Sequence, residues 1–154
     1  MEDDRARCSE PCSPHVLLAD DDPWIHESFG FLLRDAGYTV RDASDGVEAL
    51  DTLLLREEPL VVVLDLLMPR MTGFEVLQRV AHDEVLQTRH AYVVSSAQAI
   101  RPDLVGEHFA RLLERLGSAF VLRPRDIDVL LAAVDAAVER LRPGSRTRRR
   151  DELA

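Results

Sequence analysis

The run Leu60-Val61-Val62-Val63-Leu64 constrains this chain more than any other feature. Five consecutive large aliphatic residues leave a strand no polar face, so both of its faces must be buried. That places it in the middle of a parallel sheet with helices on either side. The run stops at a charge, Asp65, and a loop holding Met68, Pro69 and Gly73 follows.

The remaining segments alternate around this strand. Val16 to Ala19 is a short apolar run ended by Asp20, Asp21, Asp22 and Pro23. Trp24 to Ala36 has helical spacing, with Ile25, Phe29, Leu32 and Leu33 on one face, and Gly37 is placed to stop it. Tyr38 to Ala43 reads as a strand. Ser44 or Asp45 caps a helix to about Arg56, and another helix runs from Phe74 to about Ala81. Ala91 to Val94 is a fourth strand ending at Ser95 and Ser96. Leu104 to Leu116 is helical, Ala119 to Leu122 is a fifth strand ending at Arg123 and Pro124, and Ile127 to Leu141 is the last helix. Five strands alternating with five helices predict a doubly wound parallel sheet in one domain, residues 15–142.

In such sheets ligands bind beyond the carboxyl ends of the strands. The polar residues there are Asp20, Asp21, Asp65, Ser96 and Arg123. Three carboxylates in one pocket repel one another, and a divalent cation is the simplest compensation. Oxygen donors favour Mg2+. A carboxylate beside it is a nucleophile for a phosphoryl group, Ser96 can donate a hydrogen bond to a phosphoryl oxygen, and Arg123 can pair with another. No histidine or cysteine base stands at a strand end, and no Gly-rich phosphate loop is present. Asp22 before Pro23 reads more simply as a helix cap.

Composition narrows the partners. A net charge of -9 argues against general nucleic-acid binding. No window reaches the length of an apolar membrane span, and Met1 to Pro14 lacks the core of a signal peptide, so the expected location is the cytoplasm. Cys8 and Cys12 fall in that leading segment, read as flexible and as carrying incidental thiols. The stretch 143–154 holds Arg146, Arg148, Arg149 and Arg150 and reads as a disordered basic tail. All 19 basic residues of the Lys and Arg class are arginine.

With these residues in view, the chain resembles the receiver domain of bacterial two-component response regulators, of the stand-alone, single-domain type. The resemblance rests on Asp20-Asp21-Asp22-Pro23 after an apolar strand and on the string Val63-Leu64-Asp65-Leu66-Leu67-Met68-Pro69-Arg70-Met71-Thr72-Gly73. It covers about Pro14 to Leu141. It implies a flavodoxin-like sheet in the order 2-1-3-4-5, with two helices on one face and three on the other. Asp65 would be the phosphoacceptor. Asp20, Asp21, Asp65 and the carbonyl of Leu67 would hold Mg2+. Ser96 would be the switch hydroxyl, Phe120 the switch aromatic, and Arg123 would stand where the family has lysine.

Two departures accompany the match. Arginine at 123 keeps the charge but not the compact ammonium. The stretch from Ser96 to Phe120 is about five residues longer than is usual for the family, an excess carried by Gln98 to Gly106 and the helix after it. The implied partners are a sensor histidine kinase or phosphotransfer protein and a downstream protein target. Neither direct DNA binding nor membrane association is expected. A homodimer surface would lie on the helix ending at Leu116, the strand Ala119 to Leu122 and the last helix. The protein is not expected to be an enzyme beyond its own phosphotransfer and slow dephosphorylation, since Leu67 cannot move protons for a phosphatase. A phosphorylation-independent interaction module is the alternative reading.

Overall fold

The computed structural model describes residues 15–96, 102–116, 119–122 and 127–142. Met1 to Pro14, Arg123 and the stretch 143–154 lie outside them, as do the readings made for those residues. Eleven elements follow in chain order: β1 (His15–Ala19), α1 (Pro23–Asp35), β2 (Thr39–Ala43), α2 (Gly46–Leu55), β3 (Leu60–Asp65), α3 (Gly73–Ala81), α4 (Glu84–Arg89), β4 (Ala91–Ser96), α5 (Pro102–Leu116), β5 (Ala119–Leu122) and α6 (Ile127–Leu141).

The aliphatic run becomes β3, and all of its residues are buried. It lies at the centre of a five-stranded sheet in the order β2-β1-β3-β4-β5. Every neighbouring pair is parallel. The order 2-1-3-4-5 is the predicted one. It puts the ends of β1 and β3 side by side, with Ala19 opposite Leu64 and Asp65 opposite Ser95.

The two-residue alternation along each strand sorts the core into two halves. Leu17, Leu60, Val62, Leu64, Tyr92 and Val94 pack under α2, α3, α4 and α5 through Leu53, Leu77, Leu86 and Leu112. Val16, Leu18, Val61, Val63 and Val93 pack under α1 and α6 through Phe29, Leu33, Leu130 and Val134. Burying each such side chain fully is worth roughly 1.5–3 kcal/mol, which makes β3 the best-anchored element.

The prediction of five helices is corrected to six among the described residues. The connection before β4 contains α4, capped by Asp83, whose Oδ1 accepts from the Val85 and Leu86 N–H groups at 3.0 and 3.2 Å. Leu86 is the buried residue of this helix, so no apolar period marked it. The helix predicted from Leu104 begins at Pro102 and is interrupted at Gly106, where φ is 79°. Tyr38, in the turn between α1 and β2, donates its hydroxyl hydrogen to Asp135 on α6. That bond ties the turn before β2 to α6.

Candidate functional site

The site is built on three connections that leave the carboxyl edge of the sheet. After β1, the Asp20 N–H continues the ladder to the Ala43 carbonyl at 3.0 Å. The Asp20 carboxylate turns back to accept the Asp22 N–H at 2.9 Å. Asp22 then caps α1, accepting from the Trp24 N–H at 2.9 Å with Pro23 in the first turn. This is the cap read from the Asp-Pro pair, and it leaves Asp20 and Asp21 for the edge.

His26 on α1 fastens this turn from below. Its Nε2 lies 2.6 Å from the Asp20 carbonyl and its Nδ1 lies 2.8 Å from Asp42 Oδ1. Burial alone would favour the neutral ring; the bonds to the Asp20 carbonyl and to Asp42 outweigh it and raise the His26 pKa above its ordinary value. The sequence reading did not single out His26, because nothing local tells which carbonyl a helical histidine will meet.

Asp65 ends β3, 6% exposed. The next residues cannot leave the edge freely. The Leu66 N–H bonds the Ser95 carbonyl at 3.3 Å, the Leu67 N–H approaches Asp65 Oδ1 at 3.4 Å, and the Gly73 N–H returns to the Leu66 carbonyl at 3.0 Å. A Cβ at Gly73 would lie 2.2 Å from the Asp65 carbonyl oxygen, so only glycine permits the return. Thr72 closes a capping box with Glu75 and starts α3 at that point.

The fold brings Asp20, Asp21 and Asp65 together: one carboxylate oxygen from each lies within 4.8 Å of the others. Asp20 and Asp65 are buried and Asp21 is exposed, so the cluster opens to solvent on one side. An all-oxygen donor set with one wet side fits Mg2+, which keeps several waters. Ser96, 1% exposed, ends β4 one residue beyond the partner of Asp65. Leu67 is 45% exposed in the loop. Phe120 is paired with Val94 in the ladder between β4 and β5; Arg123 follows that strand outside the described residues.

Two further residues join the loop to the rest of the molecule. Arg70 reaches Asp45, the N-cap of α2, and the Gly46 N–H donates to the Met71 carbonyl at 3.0 Å. The Glu48 N–H, and after it the Arg70 guanidinium, hold the Asp45 carboxyl below its ordinary pKa. The sequence offered Ser44 or Asp45 as the cap, of which the structure uses Asp45, and carried no sign of either tether.

Fold and site together define an α/β protein with an acidic pocket at the carboxyl edge of a parallel sheet. The family model for the response regulator receiver domain matches residues 16–135, and the chain belongs to that family. It is 34% identical over 130 residues to the response regulator MprA of Mycobacterium leprae, a match covering 83% of this chain and 52% of MprA. It is 29% identical over 127 residues to the DNA-binding dual master transcriptional regulator RpaA of a Synechocystis species, covering 82% of this chain and 50% of RpaA. The chain thus spans about half the length of these curated relatives. Among solved structures, the Francisella response regulator 1452 receiver domain aligns with a TM-score of 0.69 at 26% identity, covering 84% of this chain and all of that one. The CheY-like receiver domain protein of Methanospirillum hungatei aligns with a TM-score of 0.67 at 21% identity, covering 84% and 96%.

Proposed function

We propose that the chain is a phosphoacceptor receiver of two-component signal transduction, phosphorylated on Asp65 and signalling through protein contacts. The observation that carries this reading is the convergence of Asp20, Asp21 and Asp65, with buried Ser96 at the neighbouring strand end. Asp20, Asp21, Asp65 and the Leu67 carbonyl would hold Mg2+. When bound, the cation supplies charge neutralisation to a phosphoryl group entering an acidic pocket.

The chain's own residues account for the rest. A carboxylate oxygen of Asp65 attacks phosphorus, the phosphorus–nitrogen bond of a donor phosphohistidine breaks, and the released imidazole nitrogen takes a proton from solvent. The Ser96 hydroxyl donates to a phosphoryl oxygen, and Arg123 supplies the cation that pairs with another. Ser96 and Phe120 would then shift the packing of α5, β5 and α6, a change of population between two arrangements. The partners are a histidine kinase or phosphotransfer protein and a downstream protein target. No catalysis beyond the chain's own phosphotransfer and slow dephosphorylation is proposed. No helix among the described residues is long and apolar enough to cross a membrane; the cytoplasm is the proposed location.

The test is intact mass after incubation with Mg2+ and a small acyl phosphodonor. Native protein should gain one phosphoryl group and the Asp65→Asn variant none. A native protein that gains none, with an Asp65→Asn variant that still works in cells, would favour the phosphorylation-independent module instead.

A further inference from the structure

Among the described residues, Arg70 is the non-glycine residue with φ in the left-handed region, at 63°. A residue with a Cβ resists that conformation and holds it only when its surroundings impose it. The surroundings are specific here. The Arg70 Nε and Nη2 both contact Asp45 Oδ2, at 2.8 and 2.6 Å. The other oxygen of Asp45 is occupied: it accepts the Glu48 N–H at 2.9 Å and caps α2. One residue further, the Gly46 N–H bonds the Met71 carbonyl, and a Cβ at Gly46 would lie 2.1 Å from that carbonyl oxygen. Besides the buried Met68 side chain, the loop is therefore held at two points by its polar groups. Its inner end is fixed by the Gly73 to Leu66 bond, and its outer end is clasped to the start of α2. Leu67 and Pro69 lie between the two clasps, and Met68 between them packs into the core.

We propose that Arg70, acting through Asp45, is a positioning residue for the Asp65 loop. Resting on the phosphoacceptor reading above, the pair keeps the Leu67 carbonyl beside the carboxylates before any cation arrives. The pocket is then pre-organised, and cation binding does not have to order the loop. The backbone strain at Arg70 is the mark of that positioning role. A surface arginine with no such duty would be better replaced by glycine or asparagine, which accept a left-handed backbone at little cost.

Two variants separate positioning from ordinary stability. Arg70→Gly removes the ion pair and relieves the backbone. Asp45→Asn removes the ion pair and keeps a good helix cap. Mg2+ affinity is read by titrating Trp24 fluorescence, alongside phosphorylation rate and the thermal midpoint. Each variant should weaken Mg2+ binding about three- to fivefold, the scale of one partly exposed ion pair. Phosphorylation should slow by a similar factor, while the Arg70→Gly midpoint stays level or rises. The double variant should be no weaker than either single, because one interaction has been cut twice. The proposal is overturned if both variants bind Mg2+ at the native affinity, or if their effects multiply in the double variant. Failure of the native protein to be phosphorylated would sink the phosphoacceptor reading instead, and the Mg2+ titration would still decide the clasp.

Discussion

At the scale of the residue, His90 shows how one buried group gives the fold a pH dependence. It precedes β4, is 3% exposed, and accepts the Leu60 N–H on Nδ1 at 3.0 Å. Burial, and after it the nearby Arg89 guanidinium, push its pKa down to about 4. In the unfolded chain the ring titrates near its ordinary 6.5. The folded state therefore favours the neutral ring. Its contribution is fully present above the unfolded value and is lost as pH falls from 6.5 towards 4. The amount is roughly 3 kcal/mol, at about 1.4 kcal/mol per pKa unit. Urea unfolding at pH 7.5 and pH 5 should show a clear drop in midpoint for the native protein and a much smaller one for His90→Gln. Equal drops would assign the acid sensitivity to other groups.

Among the elements, α3 matters most to the site, because its first turn ends the Asp65 loop. Thr72 accepts the Glu75 N–H at 3.2 Å and the Glu75 carboxylate accepts the Thr72 N–H at 2.8 Å. This reciprocal pair satisfies two donors that a helix start otherwise leaves open. Below it, Val76, Leu77 and Val80 bury the inner face of α3 against the sheet. Replacing Thr72 with Ala should cost about 1 kcal/mol, and replacing it with Ser a few tenths at most. The difference is measurable as separate urea midpoints for the two variants. If Ala and Ser behave alike, the helix start is held by the Gly73 to Leu66 bond and the packed face, and the cap adds little.

For the molecule as a whole, a cation held in the acidic pocket would couple its binding to folding. Asp20, Asp21 and Asp65 come from segments far apart in the chain and meet only when β1 and β3 pair. An unfolded chain has no such site, so a cation that binds it stabilises the native state by mass action. At a Mg2+ concentration about a hundred times its dissociation constant, the gain is about 2.7 kcal/mol. Thermal scans should show a midpoint that climbs with Mg2+ in the native protein and stays flat in Asp20→Asn. A flat native response would mean that the three carboxylates hold no cation.

The sequence by itself determined the five strands, all but one of the described helices and which side chains stand at the strand ends. A short, valine-rich aliphatic run reads as a strand covered on both faces, and β3 is that strand. Asp22 before Pro23 and Asp45 before Gly46 are local signals, because a cap closes on the next few N–H groups. The Asp65 loop was legible as a string for the same reason. Which strand ends adjoin was not locally written. The 4.8 Å convergence of the carboxylates depends on β1 lying against β3, a pairing of residues distant in sequence. The clasp of Arg70 on Asp45, the approach of Gly46 to the Met71 carbonyl and the burial of His90 likewise arise only when separate segments pack. Even α4 escaped notice, since one buried leucine makes no period. A residue type states what chemistry is on offer; which carbonyl or carboxylate it meets is decided by the packing of the whole chain.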